Sequence, residues 1–380
     1  MKIELIATST FGLESIVARE LQGLGYENLQ IENGRVTFTA DLEAICKTNL
    51  WLRTADRVLV KVGEFKATTF EELFQGTRSL PWENWLTLDA EFPVDGKSIK
   101  STLFSVSDCQ AIVKKAIVEK MKNKYPTDWF KEDGPKYKIE VALLKDIATL
   151  TIDTTGPGLH KRGYRKLVTE APIKETLAAA MILLSRWHKE RAFIDPMCGS
   201  GTIPIEAALI ARNIAPGLDR NFSAEEWPQI TTKMWSLART EARQKIDFDT
   251  KLHIAGSDLN DNTISIARYH AREAGVEEDI HFQALALEKV SSKHKYGYLI
   301  TNPPYGERIG EEKAVLKISQ DLSDLAKILD TWSFYIITSL PGFEKTIGKK
   351  ADKRRKLYNG RIECQFYQFF GPPPKRKSLQ

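Results

Sequence analysis

A short turn with two glycines is the first feature of this sequence whose residue types could bind a ligand. Phe193-Ile194 leads into Asp195, and Gly199 and Gly201 follow at alternate positions. Pro204 then suits the first turn of a helix, so the pattern predicts a strand, a glycine turn and a helix, the ligand-binding corner of a doubly wound α/β sheet. Glycine lacks Cβ, so a ligand can approach the backbone closely. The third glycine of a dinucleotide fingerprint is absent, so a plain tight turn is the structural alternative.

A second turn, Asn302-Pro303-Pro304-Tyr305, follows the apolar run Tyr298–Ile300. Both prolines lack an N–H group, so the turn offers carbonyl acceptors and few donors. Asn302 adds a carboxamide oxygen, and Tyr305 adds a flat face on which a nucleobase can stack. Acceptors beside an aromatic ring suit the exocyclic amine of a base. Asn-Pro-Pro is also a common way for a chain to leave a strand, which is the alternative interpretation.

Together these segments resemble known motifs. Asp195–Thr202, Gly256–Asn260 and Asn302–Arg308 are similar to three motifs of class I S-adenosylmethionine (SAM)-dependent amino-methyltransferases. Leu159–Arg165 and Ala171–Glu175 resemble the beginning of the catalytic domain in the bacterial THUMP-domain RNA methyltransferases, which modify guanine N2 in large-subunit (23S) ribosomal RNA. The likeness extends over essentially the whole chain, strongly in its catalytic part and more loosely before it.

The resemblance implies a SAM cofactor, with S-adenosylhomocysteine (SAH) as its product. The residues that it assigns to the cofactor are Asp195, Pro196, Cys198, Gly199, Ser200, Gly201, Thr202, Asp258 and Leu259. It assigns catalysis to Asn302, Pro303, Pro304 and Tyr305. The target base must leave its helix or already be single-stranded, because a paired base cannot enter such a pocket.

Two cofactor contacts depend on the resemblance more than on spacing. Leu252–Asp258 predicts a strand that ends in an acid for the ribose hydroxyls, but the insertion from Ala215 to Lys251 places it far beyond the usual distance of about 20 residues. Many relatives carry an acid after the next strand, Ile280–Gln283, where it meets the adenine amine. This chain has Ala284-Leu285-Ala286 there, which leaves the adenine to backbone atoms or to Gln283.

A basic segment with an interleaved aromatic residue follows Gly156-Pro157-Gly158. Such a composition suits a phosphate backbone with a base stacked nearby, although a charged linker would look the same. The residues predicted to bind RNA are Lys161, Arg162, Tyr164, Arg165 and Arg308. The lysines of the predicted helix Asp108–Lys122 are typical of a solvated face, and an RNA-binding role for that region follows from the resemblance to THUMP alone.

The predicted elements divide the chain into five parts. They are a ferredoxin-like domain (1–66) in β-α-β-β-α-β order, a THUMP RNA-binding domain (67–155), a basic linker (156–172), a SAM-dependent methyltransferase domain (173–371) and a disordered Pro- and Lys-rich tail (372–380). The fold class is α/β, with a Rossmann-like class I methyltransferase sheet preceded by two α+β domains. Within the last domain, the helix Ile230–Lys245 is expected to cover the sheet, and Lys350–Phe370 is expected to form a hairpin with Asn359-Gly360 at its turn. A strand is also predicted near Leu88–Val94.

The composition narrows the class of protein further. The chain has 380 residues, 42% hydrophobic and 28% charged, with a net charge of +5. These values describe a globular protein, and the slight basic excess is weak support for a polyanionic partner. The four cysteines are scattered, which argues against a disulfide framework and a zinc site, and no metal is expected. We expect a cytoplasmic protein, since neither an apolar leader nor a membrane-length apolar run is present.

The sequence therefore predicts methyl transfer from SAM to guanine N2 of 23S ribosomal RNA. The first alternative is an N6-adenine methyltransferase of DNA or RNA, because the Asn302 turn does not distinguish two bases that both carry an amine. The second is a non-catalytic RNA-binding protein with a relic α/β domain. A NAD enzyme is disfavoured by the missing third glycine. The modified nucleotide, the oligomeric state and the choice between naked RNA and a ribosome precursor are left open.

Overall fold

The computed structural model describes residues 2–127, 129–167, 173–305 and 312–374. Its internal contacts divide the chain into two compact units. Unit 1 consists of Met1–Ser9, Val17–Leu159 and Arg220–Glu241, and unit 2 consists of Thr10–Ile16, His160–Asp219 and Ala242–Gln380. Among the described residues, no helix is both long enough and apolar enough to cross a membrane.

The first 153 residues alternate between strands and helices. In order they are β1 (Ile3–Thr8), α1 (Glu14–Gly23), β2 (Gln30–Glu32), β3 (Arg35–Ala40), α2 (Glu43–Trp51), β4 (Arg57–Lys66), α3 (Phe70–Ser79), β5 (Val94–Ile99), α4 (Val106–Met121), β6 (Ile139–Leu144) and β7 (Ile147–Asp153). Their strands form one sheet in the order β2-β3-β1-β4-β7-β6-β5. Of the strand pairs that the structure describes in this sheet, only β5–β6 is parallel.

The strand β4 is shared by the two expected α+β domains. It pairs with β1 on one side and with β7 on the other, so the ferredoxin-like strand order continues into the following strands as a single sheet. Its register with β7 shifts between Lys61 and Gly63. A Cβ atom at Gly63 would lie 2.3 Å from Leu80 Cδ2, so the side chain of Leu80 packs directly against the backbone of Gly63.

The prediction of a strand near Leu88–Val94 is wrong, because β5 begins only at Val94. The apolar residues before it are nevertheless buried, among them Ala90 and Phe92. A short apolar run signals burial more reliably than it signals a strand, and here the burial belongs to a loop.

Unit 2 contains the second sheet. The remaining elements are α5 (Glu175–Ser185), β8 (Phe193–Asp195), α6 (Thr202–Ala211), α7 (Thr232–Gln244, mostly in unit 1), β9 (Ile254–Asp258), α8 (Asp261–Glu273), β10 (Ile280–Ala284), β11 (Tyr298–Thr301), α9 (Glu312–Ile328), β12 (Ser333–Thr338), α10 (Phe343–Thr346), β13 (Lys353–Asn359) and β14 (Ile362–Phe369). The strand order is β10-β9-β8-β11-β12-β14-β13. The first five strands are parallel, and the predicted hairpin β13–β14 adds the antiparallel edge.

Both faces of this second sheet are covered by helices. Successive residues of a strand point to opposite faces, so Phe193 packs with residues of α5, α6 and α8, while Ile194 packs with residues of α9 and α10. The strand order reverses between β8 and β11. In doubly wound sheets a ligand binds beyond the carboxyl ends of the strands at such a reversal.

Most of the insertion before β9 packs in unit 1, whereas the sequence predicted that its helix covers the second sheet. Its residues Arg220–Glu241 belong to unit 1. Trp227 stacks on Tyr137 with ring centroids 4.7 Å apart, and its indole N–H donates to the Lys136 carbonyl over 3.0 Å. Trp235 is buried in the same hydrophobic core. The prediction failed because the two tryptophans showed only that the insertion is buried, and its partners lie about 90 residues earlier in the chain.

Candidate functional site

The register of β8 and β11 brings the two predicted turns to one edge of the second sheet. Tyr298 lies beside Phe193 and Leu299 beside Ile194 in a parallel pair. Parallel neighbours end at the same edge, and the hydroxyl of Thr301 donates to Asp195 Oδ1 over 2.7 Å. The glycine turn and the Asn302 turn therefore leave adjacent strands side by side.

The two glycines of the first turn have different roles in the geometry. Both have a positive φ, +51° at Gly199 and +84° at Gly201. A Cβ atom at Gly201 would lie 3.0 Å from Ala267 Cβ and 3.1 Å from Phe282 Cζ, so close packing with α8 and β10 requires glycine there. A Cβ atom at Gly199 would meet nothing within 4 Å. The loop is therefore open above Gly199, where a ligand can approach the backbone.

The carboxylate of Asp258 fixes the glycine loop to the end of β9. Its Oδ2 accepts a hydrogen bond from the backbone N–H of Gly199 over 3.1 Å. The N–H of Cys198 donates to the Ser257 carbonyl over 2.8 Å, a second link to the same strand. The next residue, Leu259, is 79% exposed. An acid and an exposed apolar side chain therefore flank the open part of the loop.

Asp195 is fully buried below the loop, and burial raises the pKa of its carboxyl group to about 7. The hydroxyl of Thr301 and the backbone N–H of Met197, which donates over 3.2 Å, lower the pKa but only partly offset that effect. The charge of Asp258 raises it further. The group can therefore change its protonation near neutral pH.

In the second turn, the side chains of Asn302 and Tyr305 contact one another. The Tyr305 hydroxyl donates to Asn302 Oδ1, the acceptor that the sequence analysis assigned to a base amine. Asn359, in the turn of the β13–β14 hairpin, donates from Nδ2 to the Tyr305 hydroxyl over 3.4 Å. Asn359 was not among the predicted site residues. The Asn-Gly pair indicated only a turn, and no local signal placed that turn beside Tyr305.

Arg162 and Tyr164 are interior residues, and their burial gives no support to the prediction that they bind RNA. Arg162 is 4% exposed, and its guanidinium lies 3.3 Å from the buried carboxylate of Glu206 on α6. The Tyr164 hydroxyl donates to the same carboxylate over 3.2 Å. Arg162 and Glu206 are buried as a hydrogen-bonded pair of opposite charges. Both Arg162 and Tyr164 therefore direct their polar groups to Glu206 inside the protein.

Arg165 is also committed to an internal contact. Its Nη2 donates to Thr202 Oγ1 over 2.6 Å and to the Ile173 carbonyl over 2.9 Å. Thr202 is the first residue of α6, directly after the glycine loop, so Arg165 supports that loop. Lys161 is exposed, and Arg308 lies outside the described residues.

The remaining cofactor predictions fit the geometry in part. Ser200 and Thr202 are buried, so their side chains support the loop from inside. At the expected adenine position, the Leu285 N–H donates to the Asp258 carbonyl over 2.9 Å and is already used. Among the residues that the structure describes, no three His, Cys, Asp or Glu side chains lie close enough together to hold a metal ion.

The fold and this pair of turns are those of a class I SAM-dependent methyltransferase. Residues 162–368 match a family model described as RMKL-like, methyltransferase domain. Residues 4–59 match the RlmL ferredoxin-like domain and residues 67–153 match the THUMP domain. The chain therefore belongs to the RMKL-like methyltransferase family, with an RNA-binding THUMP domain and SAM as its cofactor, and the predicted fold class is confirmed.

Individual relatives agree with this assignment. The chain is 48% identical over 382 residues to "Putative RNA methyltransferase YpsC" of Bacillus subtilis (strain 168), covering 100% of this chain and 99% of that protein. It is 36% identical to the ribosomal RNA large subunit methyltransferase K/L of Psychromonas ingrahamii (strain DSM 17664 / CCUG 51855 / 37), covering 97% of this chain and 50% of that protein. A solved structure, "SMU.472, a putative methyltransferase complexed with SAH", has a TM-score of 0.93 at 48% identity and covers 98% of this chain and 99% of its own.

Proposed function

We propose that this enzyme transfers a methyl group from SAM to N2 of a guanine in 23S ribosomal RNA. The observation that carries the proposal is the meeting of the glycine loop and the Asn302 turn at one sheet edge, linked by the hydrogen bond from Thr301 to Asp195. The THUMP match supports RNA as the substrate. The name of the Psychromonas relative, of which this chain matches half, supports large-subunit ribosomal RNA.

The residues that would hold the cofactor are on the glycine loop and β9. The open surface above Gly199 would receive it, and Asp258 would accept hydrogen bonds from its ribose. Leu259, exposed at the same edge, would cover one side of the adenine. When bound, SAM supplies an electrophilic methyl group on a sulfonium centre.

The Asn302 turn would orient the base. Asn302 Oδ1 and the Pro303 carbonyl would accept hydrogen bonds from the exocyclic amine, which disfavours its planar, conjugated form and makes its lone pair available. The amine takes the place of the Tyr305 hydroxyl, which occupies Asn302 Oδ1 when no base is bound. Tyr305 would then stack on the base and hold the nitrogen in line with the methyl group. No side chain needs to form a covalent bond, and the surplus proton can leave the nitrogen after transfer.

The test is methylation of unmodified 23S ribosomal RNA by the purified full-length enzyme with labelled SAM, followed by nucleoside analysis. The proposal predicts N2-methylguanosine at one position. N6-methyladenosine, in this RNA or in DNA supplied in parallel, would favour the alternative base instead. SAM binding without transfer to any of these nucleic acids would contradict the proposal.

A further inference from the structure

The basic segment that follows Gly156-Pro157-Gly158 is connected to the glycine loop by a buried histidine. His270 lies in the last turn of α8 and is completely buried. Its Nδ1 lies 3.2 Å from the backbone carbonyl of Ser200, in the glycine loop. The backbone N–H of Leu167, at the end of the basic segment, donates to its Nε2 over 3.4 Å. One imidazole therefore joins the loop to a segment more than 30 residues earlier.

These two backbone partners determine the protonation of the ring. The Ser200 carbonyl can only accept a hydrogen bond, so Nδ1 must carry a proton. The Leu167 N–H can only donate one, so Nε2 must have a free lone pair. A second proton on Nε2 would face the Leu167 N–H and break that contact.

Some of the groups around His270 lower its pKa and others raise it. Burial is the largest influence and lowers the pKa of His270, and the cation of Arg165 lowers it further, while the hydrogen bond to Ser200 and the charge of Glu273 raise it. The other titratable groups nearby are Tyr164, Tyr269 and Lys166, which forms an ion pair with Glu273. The neutral, bridging ring is therefore the form present at neutral pH.

We propose that His270 is a positioning residue for the cofactor, which holds the Ser200 carbonyl and so fixes the open loop at Gly199 in its binding shape. The inference rests on the proposed role of that loop in binding SAM. His270 acts together with Arg165, whose hydrogen bond to Thr202 fixes the other end of the loop. Residues of the segment predicted to bind RNA thus support the cofactor loop from the protein interior.

The test uses calorimetry with SAM on the full-length protein at several pH values from about 5 to 8. His270→Asn keeps an N–H donor near the position of Nδ1, whereas the similarly sized His270→Leu does not. At pH 7.5 we expect Asn to keep the wild-type Kd within about threefold and Leu to weaken it about tenfold, the usual size for one buried hydrogen bond. In a methyl-transfer assay the Leu variant should raise KM for SAM and leave kcat unchanged. His281→Asn, at an exposed histidine on β10, is the matched control.

The rescue of SAM affinity by Asn but not by Leu is a readout that a merely structural role would not give. A protonated ring still donates from Nδ1 to the Ser200 carbonyl, so the wild-type Kd for SAM should change with pH no more than the Kd of His270→Asn does. Equal affinities of the Leu and Asn variants, loss of SAM affinity in His270→Asn, or a Kd that weakens on acidification in the wild type and not in His270→Asn would overturn the inference. A wild-type protein that binds no SAM would instead overturn the proposed role of the loop, so the two failures are distinguishable. If His270→Leu does not fold, the comparison of wild type with His270→Asn decides.

Discussion

Asp195 shows how a single buried side chain couples the site to pH. Its carboxyl group has an ordinary pKa of 3.8 and a pKa of about 7 in the folded protein. Between these values the folded protein binds one more proton than the unfolded chain does. The free energy of unfolding therefore falls as the pH rises through this window, and the buried charge is tolerated above it because Thr301 and Met197 donate hydrogen bonds.

We expect Asp195→Asn to remove that pH dependence. The wild type should lose up to about 1.4 kcal/mol of stability per pH unit as the pH rises from about 5 toward 7, while the variant, which stays neutral and can still accept from Thr301, should change less. Urea unfolding at a series of pH values measures the difference. Parallel curves for the two proteins would show that Asp195 is ionised throughout.

A second prediction distinguishes the two glycines of the loop, because Gly199 faces open space and Gly201 packs against α8 and β10. Gly199→Ala should cost about 1 kcal/mol of stability, because its φ is positive, and should weaken SAM binding strongly, because its methyl group enters the open space. Gly201→Ala should lose more stability, since its Cβ also meets Ala267 and Phe282. Calorimetry with SAM and thermal unfolding give the two readouts.

Gly275→Ala is the matched control for these variants. Gly275 also has a positive φ, of +70°, and a Cβ atom there would meet nothing within 4 Å, but its N–H donates to the Arg272 carbonyl at the end of α8. The variant should lose about 1 kcal/mol of stability and bind SAM normally. Unchanged SAM affinity in Gly199→Ala would remove the argument that the ligand lies above that residue.

Among the elements, the β13–β14 hairpin contributes directly to the site. Its turn brings Asn359 to Tyr305, and Tyr305 in turn contacts Asn302. The sequence predicted both the hairpin and its Asn-Gly turn, because those signals are local. The contact with Tyr305 joins residues 54 positions apart, and only the pairing of β14 with β12 determines it.

We expect Asn359→Ala to reduce methyl transfer several-fold and to leave the Kd for SAM unchanged. Without this donor, Tyr305 loses one of the contacts that hold its ring beside Asn302. Arg361→Ala, at an exposed residue of the same turn, is the control for damage to the hairpin. Steady-state kinetics with RNA and calorimetry with SAM check the prediction, and equal activity of the two variants would contradict it.

The same distinction between local and distant information explains why the internal contacts of the basic segment could not be predicted from the sequence. The charges of Arg162 and Arg165 are visible in the sequence, but their partners are not. Glu206 lies 44 residues after Arg162 and Thr202 lies 37 residues after Arg165. A cation that pairs inside the protein and a cation that binds RNA look alike until the fold places an acid beside one of them.

In the part of the chain that the structure describes, the strands form two sheets, and each of the two units is made of segments that are not contiguous in the sequence. The bounds predicted for β9, β10 and α4 from hydrophobic periodicity and turn residues agree with the structure to within two residues. The packing of the insertion was not predicted, because Trp227 and Trp235 lie in the core of unit 1 although the segments on either side of them in the chain belong to unit 2. Periodicity reports that a face is buried and does not report which core buries it.

Trp227→Ala tests this placement. Loss of a buried tryptophan that stacks on Tyr137 should lower the free energy of unfolding by about 3–5 kcal/mol. Because the tryptophan belongs to unit 1, the folded fraction should bind SAM with the wild-type Kd. Denaturant unfolding and calorimetry measure the two quantities, and a variant of normal stability with weakened SAM binding would assign the insertion to the catalytic sheet instead.

In the proposed reaction the two turns at one sheet edge have separate roles: the glycine loop binds SAM and the Asn302 turn binds the base. Asn302→Ala separates these roles when SAM affinity and methyl transfer to 23S ribosomal RNA are measured on the same preparation. We expect transfer to be abolished and the Kd for SAM to stay within a few-fold of wild type. Transfer at the wild-type rate, or loss of SAM binding in a normally folded variant, would contradict it.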